Sequence, residues 1–131
     1  MDPISKILNE AQTIAVVGLS SNPARPSYGV AQYLQRSGYR IIPVNPNERQ
    51  VLGEDAYPDL LSVPYAIDIV DIFRRPEYVP EIVQQAIAKG AKVVWMQPGT
   101  ENYDAADLAQ AAGLKAVAGM CLRVQHKHAT V

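Results

Sequence analysis

The segment Thr13–Gly18, TIAVVG, most constrains what this chain can fold into. It is short, rich in β-branched residues and apolar throughout, with no polar face. A strand reads this way when both faces of its sheet are covered. Arg40–Val44 (RIIPV), Ile67–Phe73 (IDIVDIF), Lys92–Met96 (KVVWM) and the short Lys115–Ala118 repeat the theme. Pro43 sits awkwardly in the second of these runs, because it brings no ladder donor.

Between these runs lie stretches with helical spacing. Tyr28–Arg36 places Val30, Tyr33 and Leu34 on one face and is followed by Gly38. Pro80–Lys89 has proline in its first turn, Ile82, Val83, Ala86 and Ile87 on one stripe, and Gly90 as its stop. Asp104–Ala112 is alanine-rich and closes at Gly113, while Ser5–Leu8 forms part of a short N-terminal helix. Val51–Leu61 contains a turn at Leu52-Gly53-Glu54 and is expected to be a short helix or loop. The polar Gln125–Val131 reads as a partly frayed tail. The alternation predicts an α/β chain, a three-layer Rossmann-like fold with a five-stranded parallel sheet between helices.

At 131 residues the chain is expected to form one domain, 1–131, large enough for its own core. The 12 basic and 13 acidic residues leave a net charge of −1 and no basic stripe, which argues against nucleic acid as a partner. Cys121 is the sole cysteine, which suits a reducing compartment. Asp2 and Glu10 interrupt the N-terminus where a signal peptide would run, and the apolar runs are far shorter than a membrane span. The expected location is the cytoplasm, away from membranes.

In a parallel sheet of this kind, ligands bind beyond the carboxyl ends of the strands, where the strand order reverses. The loop after the first strand is the most informative. Gly18 allows a sharp turn and a close approach of the backbone. Ser20, Ser21 and Asn22 are short and polar, Arg25 offers a planar cationic fork suited to phosphate, and Ser27 is placed to cap the next helix. The same residue types also make ordinary polar turns. Asn45-Pro46-Asn47-Glu48-Arg49 follows the second strand with amides and a guanidinium. Phe73-Arg74-Arg75 follows the third, joining an aromatic ring to two cations, a pairing that suits an adenine and its phosphates. A dinucleotide fingerprint needs G-x-G-x-x-G and an acid at the end of the second strand. Ser20 and Pro23 stand in place of the glycines, and the strand ends in Val44-Asn45-Pro46, so a simple NAD site is disfavoured.

Catalytic groups are sparse. His126 and His128 lie in the tail without a third metal ligand, and no Ser–His–Asp arrangement is evident. Cys121 follows the last strand and Asp71 lies near the carboxyl end of the third. They read as a small packed residue and a structural hydrogen-bonding carboxylate. No catalytic or metal-binding residue is assigned.

Taken in order, Ile14–Tyr28 (IAVVGLSSNPARPSY), Pro43–Pro46 (PVNP), Val51–Leu60 (VLGEDAYPDL), Val70–Val83 (VDIFRRPEYVPEIV) and Val93–Gly99 (VVWMQPG) resemble the small CoA-binding proteins. Their fold is that of the CoA-binding domain of the succinyl-CoA synthetase α-subunit, and the resemblance runs from about Ile4 to His126. It implies a coenzyme A site. Gly18, Ser20, Ser21 and Arg25 would hold its phosphates, with Leu19, Ser27 and Tyr28 also counted in the site. Asn45, Pro46 and Asn47 would lie near the adenosine end, Phe73, Arg74 and Arg75 would line the pocket, and Gln97 and Gly99 would stand at its mouth. Glu101-Asn102-Tyr103 is more polar than this pattern leads one to expect. The synthetase subunit also carries a domain with a phosphorylated histidine that has no counterpart here. The resemblance therefore implies binding of CoA or an acyl-CoA by a carrier or regulatory module rather than ligase chemistry. Two alternatives stand beside it: an enzyme using CoA or another nucleotide, such as a transferase or oxidoreductase built on Cys121 and Asp71, and an interaction scaffold with a vestigial pocket. The identity of any protein partner is left open.

Overall fold

The computed structural model describes residues 2–129. Along the chain it places α1 (Pro3–Glu10), β1 (Thr13–Val17), α2 (Pro26–Arg36), β2 (Arg40–Val44), β3 (Gln50–Val51) and β4 (Glu54–Asp55). These are followed by β5 (Ile69–Ile72), a single 3-10 turn (Pro76–Tyr78), α3 (Val79–Lys89), β6 (Val93–Met96), α4 (Tyr103–Ala111), β7 (Lys115–Ala118) and α5 (Leu122–Ala129). Five strands form one sheet in the order β2-β1-β5-β6-β7, and every pairing in it is parallel. This is the three-layer architecture the alternation predicts.

Strand periodicity divides the core in two. Ala15, Val17, Ile42, Val44, Val70, Ile72, Val94 and Met96 face α3 and α4. Ile14, Val16, Ile41, Ile69, Val93 and Trp95 face the opposite way, toward α1, α2 and α5. Successive residues alternate faces, so a strand covered on both sides must be apolar at nearly every position. That is why TIAVVG carries no polar stripe. Asp71 is the exception: it is wholly buried on the α2 and α5 side, in register with Val16 and Trp95.

Pro43 is accommodated because β2 is an edge strand. The Arg40 N–H donates to Gln12 O, and Val44 O accepts from the Gly18 N–H, so the even positions of β2 face β1. The Pro43 nitrogen therefore lies on the outer side, where the ladder needs no donor.

Three sequence expectations are corrected. Val51–Leu61 is neither helix nor plain loop at its start; β3 and β4 form a tight antiparallel hairpin through Leu52 and Gly53. Both turn residues have positive φ, 55° and 78°, as a right-twisted two-residue hairpin requires. Leucine is an uncommon occupant of such a turn, and its presence hid the hairpin. The second helix begins at Pro26 rather than Tyr28, with proline in its first turn. The polar C-terminal stretch is helix α5 as far as Ala129, and the last two residues of the expected tail lie outside the described region. Leu122 and His126, one turn apart, are its buried residues. Two buried positions at that spacing, one of them a histidine, gave too weak a periodicity to read.

Among the described residues, no helix is long and apolar enough to cross a membrane.

Candidate functional site

The chain leaves β1, moves to β2 on one side and returns to β5 on the other. The order reverses between β1 and β5, and the loops that follow these strands part there. A cleft of about 410 Å³ opens at this point, lined by Gly18, Ser20, Arg25, Pro26, Ser27, Asn45, Asn47, Glu48 and Phe73. Small-molecule sites span roughly 300–1,000 Å³. A second groove of about 230 Å³ has Val17, Val44, Pro46, Arg74 and Tyr78 among its walls.

Gly18 decides the shape of the first cleft. Its φ is +89°, and a Cβ at this position would collide with the Phe73 carbonyl. Only glycine lets the ends of β1 and β5 come this close. Beyond it the loop is held by side-chain-to-backbone bonds. Ser20 Oγ accepts from the Asn22 N–H at 3.0 Å, and Asn22 Oδ1 accepts from the Ala24 N–H at 3.0 Å. Ser27 does not cap α2, as its position suggested. It is the second residue of the helix, and its buried Oγ accepts from the Ser20 N–H at 3.1 Å. Arg25 occupies the N-cap position without a side-chain cap bond, and its guanidinium stands at the exposed rim.

The β2 loop is tied to the first. Asn45 Nδ2 donates to Leu19 O at 3.1 Å, and Asn45 Oδ1 accepts from the Asn47 N–H at 3.0 Å. The Asn45 amide thus sets the cleft wall. Glu48, which the sequence reading passed over, also lines the cleft; its Oε2 accepts from the Ser21 N–H at 2.7 Å. An acid in an amide-rich loop was the available signal. The bond to Ser21 occupies one carboxylate oxygen and braces the loop against β2.

The structure brings together Gly18, Ser20, Arg25, Ser27, Asn45, Asn47 and Phe73. Pro46 and Arg74 belong to the adjoining groove, where the Arg74 guanidinium lies 4.7 Å from the Tyr78 ring centre. Ser21 and Arg75 are exposed beyond both cavities, Leu19 is fully buried beneath the loop, and Tyr28 is half-buried. Gln97 is buried, and its Oε1 accepts from the Leu122 N–H at 3.0 Å, so its side chain docks α5. Gly99 is exposed, with its N–H bonded to Glu101 Oε1 at 2.8 Å. Glu101 therefore closes the β6 loop on itself.

Charge is distributed unevenly. Burial, reinforced by the neighbouring Cys121 thiol, pushes the Asp71 carboxyl well above the usual carboxylate range. Among the described residues, neither carboxyl oxygen has a hydrogen-bond partner. Among the described residues, no three His, Cys, Asp or Glu side chains are grouped to hold a metal ion. Burial lowers the pKa of His126, whose Nδ1 lies 2.8 Å from the Tyr33 hydroxyl; His128 is exposed.

Residues 12–127 match the model of the CoA binding domain family. The chain belongs to that family. It is 38% identical over 123 residues to YneT, an uncharacterized protein of Bacillus subtilis, covering 94% of this chain and 91% of that one. A hypothetical protein from Pyrococcus horikoshii superposes with a TM-score of 0.95 at 43% identity, covering 98% of this chain and 90% of that one. The α-subunit of an ADP-forming acetate–CoA ligase from Pyrococcus furiosus is 26% identical over 129 residues. That match takes in 90% of this chain but only 28% of the ligase subunit, so this chain corresponds to one part of a larger protein.

Proposed function

We propose that this chain binds coenzyme A, or an acyl-CoA, in the cleft between the β1 and β5 loops. Membership of the CoA binding domain family carries the choice of ligand. The residues present suit it. A phosphate placed beside Ser20 and Ser27 would meet the first turn of α2, whose positive dipole end favours an anion, and Arg25 supplies a fixed charge at the rim. The groove bounded by Pro46, Arg74 and Tyr78 offers an apolar wall, an aromatic ring and a guanidinium, which suit the nucleoside end. When bound, the ligand brings a reactive thiol or thioester; these residues orient and hold it. We read the module as a binding, carrier or regulatory one.

Thermal denaturation with CoA, 3′-dephospho-CoA, NAD and ATP tests this reading. A ligand that binds only the native state stabilises it by about 2.7 kcal/mol at 100 times its Kd. CoA is expected to raise Tm with concentration and NAD to leave it unchanged. The absence of a shift at millimolar CoA would sink the reading.

A further inference from the structure

One acidic side chain stands in a cleft that otherwise suits an anion. Glu48 lines it together with Ser20, Arg25 and Asn47. From the β2 loop it reaches the rim of the β1 loop, where its Oε2 accepts from the Ser21 N–H at 2.7 Å. The other side-chain bonds that hold these two loops are longer, at 3.0 to 3.1 Å. A carboxylate oxygen on a backbone N–H makes the same kind of charge-assisted bond as a phosphate oxygen on that donor.

The neighbouring donors single out Ser21. The Ser20 N–H goes to Ser27 Oγ, the Asn22 N–H to Ser20 Oγ, the Ala24 N–H to Asn22 Oδ1 and the Arg25 N–H to Asn22 O. Pro23 has no N–H to place. Each of these bonds closes within the loop or onto α2. From Ser20 to Arg25, the Ser21 N–H alone is held by a side chain from another loop. That side chain can leave without undoing the wall. The Glu48 backbone is fixed by its own N–H on Asn45 O at 3.2 Å, and Asn45 Nδ2 still ties the two loops together at Leu19 O. Among the described residues, the side-chain ion pairs are Lys6–Glu10 and Lys92–Asp68. Arg25 and Glu48 therefore line one cleft without pairing. The cation is left for a ligand while the acid is spent on an amide.

We infer that Glu48 is an internal stand-in for a ligand phosphate and sets the selectivity of the cleft for anions. Its carboxylate holds the Ser21 N–H until a phosphate oxygen takes that donor over. The Glu48 side chain then swings out, and Arg25 meets the phosphate. That the phosphate belongs to CoA rests on the function proposed above; the exchange at Ser21 applies to any phosphate-bearing ligand. One N–H cannot serve two anions at full strength, and the like charges of Glu48 and the ligand repel each other. A phosphate-bearing ligand offsets this with its own bonds to Ser21 and Arg25. A neutral ligand of similar shape has no claim on that donor and leaves the Glu48 bond in place. Glu48 thus lowers the affinity for every anion, and a ligand must carry enough phosphate charge to overcome it.

Calorimetric titration of the parent protein, Glu48→Gln and Glu48→Ala with pyrophosphate and with CoA tests the proposal, with urea midpoints to check that the variants fold. Glutamine keeps an acceptor for Ser21 and loses the charge; alanine loses both. Both variants are expected to bind each ligand at least about threefold more tightly at low salt, and the gain should shrink as ionic strength rises. Pantetheine, which carries no phosphate, should show no gain. In the parent protein, pyrophosphate should move the Ser21 amide resonance further than those of Asn22 and Ala24, whose acceptors stay in place. Weaker binding by Glu48→Ala alone would make Glu48 a structural brace, and weaker binding by both variants would make it a ligand contact; either result overturns the proposal. If CoA binds the parent and both variants alike, the stand-in role falls and the CoA reading stands. If pyrophosphate binds the variants more tightly while CoA binds none of the three proteins, the CoA reading falls and the stand-in role stands. Binding of neither ligand by any of the three overturns both.

Discussion

Strand β5 begins and ends beside an acid, and the two ends of the sheet treat their acids in opposite ways. Asp68, at the amino end, has its Oδ2 bonded to the Gln12 and Thr13 N–H groups at 2.8 and 3.1 Å and its Oδ1 3.3 Å from Lys92 Nζ. Partial burial pushes its carboxyl up, but the two backbone donors and the lysine outweigh that and hold it below its ordinary range. Asp71, three residues on, has no such partner and is held the other way. The amino end also has a cavity of about 320 Å³, bordered by Ile7, Asp68, Lys92 and Lys115. Size alone therefore does not mark the site. At the amino end the acid is satisfied by the fold itself. At the carboxyl end side-chain bonds shape the loops, Arg25 and Arg75 stand exposed, and among the described residues the Asp71 carboxyl has no hydrogen-bond partner. A polar group that the fold does not need is the better guide to function.

The sharpest way to break this contrast is at Gly18. Gly18→Ala drives a Cβ into the Phe73 carbonyl at a φ of +89°. It should cost about 3 kcal/mol or more, since left-handed strain alone is worth 1–3 kcal/mol and the collision adds to it. CoA-dependent stabilisation should vanish with it, as urea midpoints with and without ligand would show. Asp68→Ala is next. It strips two backbone donors and a lysine of their partner, and should cost about 2–3 kcal/mol while leaving the Kd for CoA unchanged in calorimetry. A change in Kd would mean that the two ends are coupled.

Arg25→Ala reverses that pattern. It should weaken CoA binding about tenfold or more, as expected for the loss of a charge-assisted hydrogen bond, and move the urea midpoint little, because the side chain is exposed. The smallest effect concerns pH. His126 packs between Tyr33 and Tyr39, and Tyr39 donates to Leu8 O, so this cluster ties α5 to the amino end. Its folded pKa lies below the unfolded value of about 6.5. The unfolded chain therefore binds more protons as pH falls, and the contribution of this residue, full above pH 6.5, declines below it. Urea midpoints at pH 7.5 and 5.5 should differ in that direction, and His126→Gln should flatten the difference.

The legible part of the molecule is the part whose reasons are local or periodic. Each of the five strands of the main sheet, and helices α1 to α4, could be read because an apolar run or an amphipathic stripe is written in consecutive residues. The loop after β1 was legible from Gly18 and its polar followers. What escaped depends on distant partners. Ser27 looked like a cap because its neighbours are invisible in one dimension; its true partner is the N–H of Ser20, across the loop. Gln97 looked like part of the pocket mouth, but it holds α5, which was itself unread. Asp71 read as a hydrogen-bonding strand residue, and its want of any partner appears only when the β5 and β6 register and the packing of α5 are known.

The proline in β2 has a consequence for how molecules of this protein meet one another. An edge strand offers its unpaired amides to any passing chain, and growth of one sheet onto another begins there. At this edge the Pro43 nitrogen has no hydrogen to offer, its carbonyl is taken by the Tyr57 N–H, and Tyr57 O accepts the Asn45 N–H. The segment after the hairpin thus occupies the end of β2 where an incoming strand would dock. Stacking of sheets edge to edge is blocked on the β2 side, and β7, short and opened by Lys115, is the border left for it.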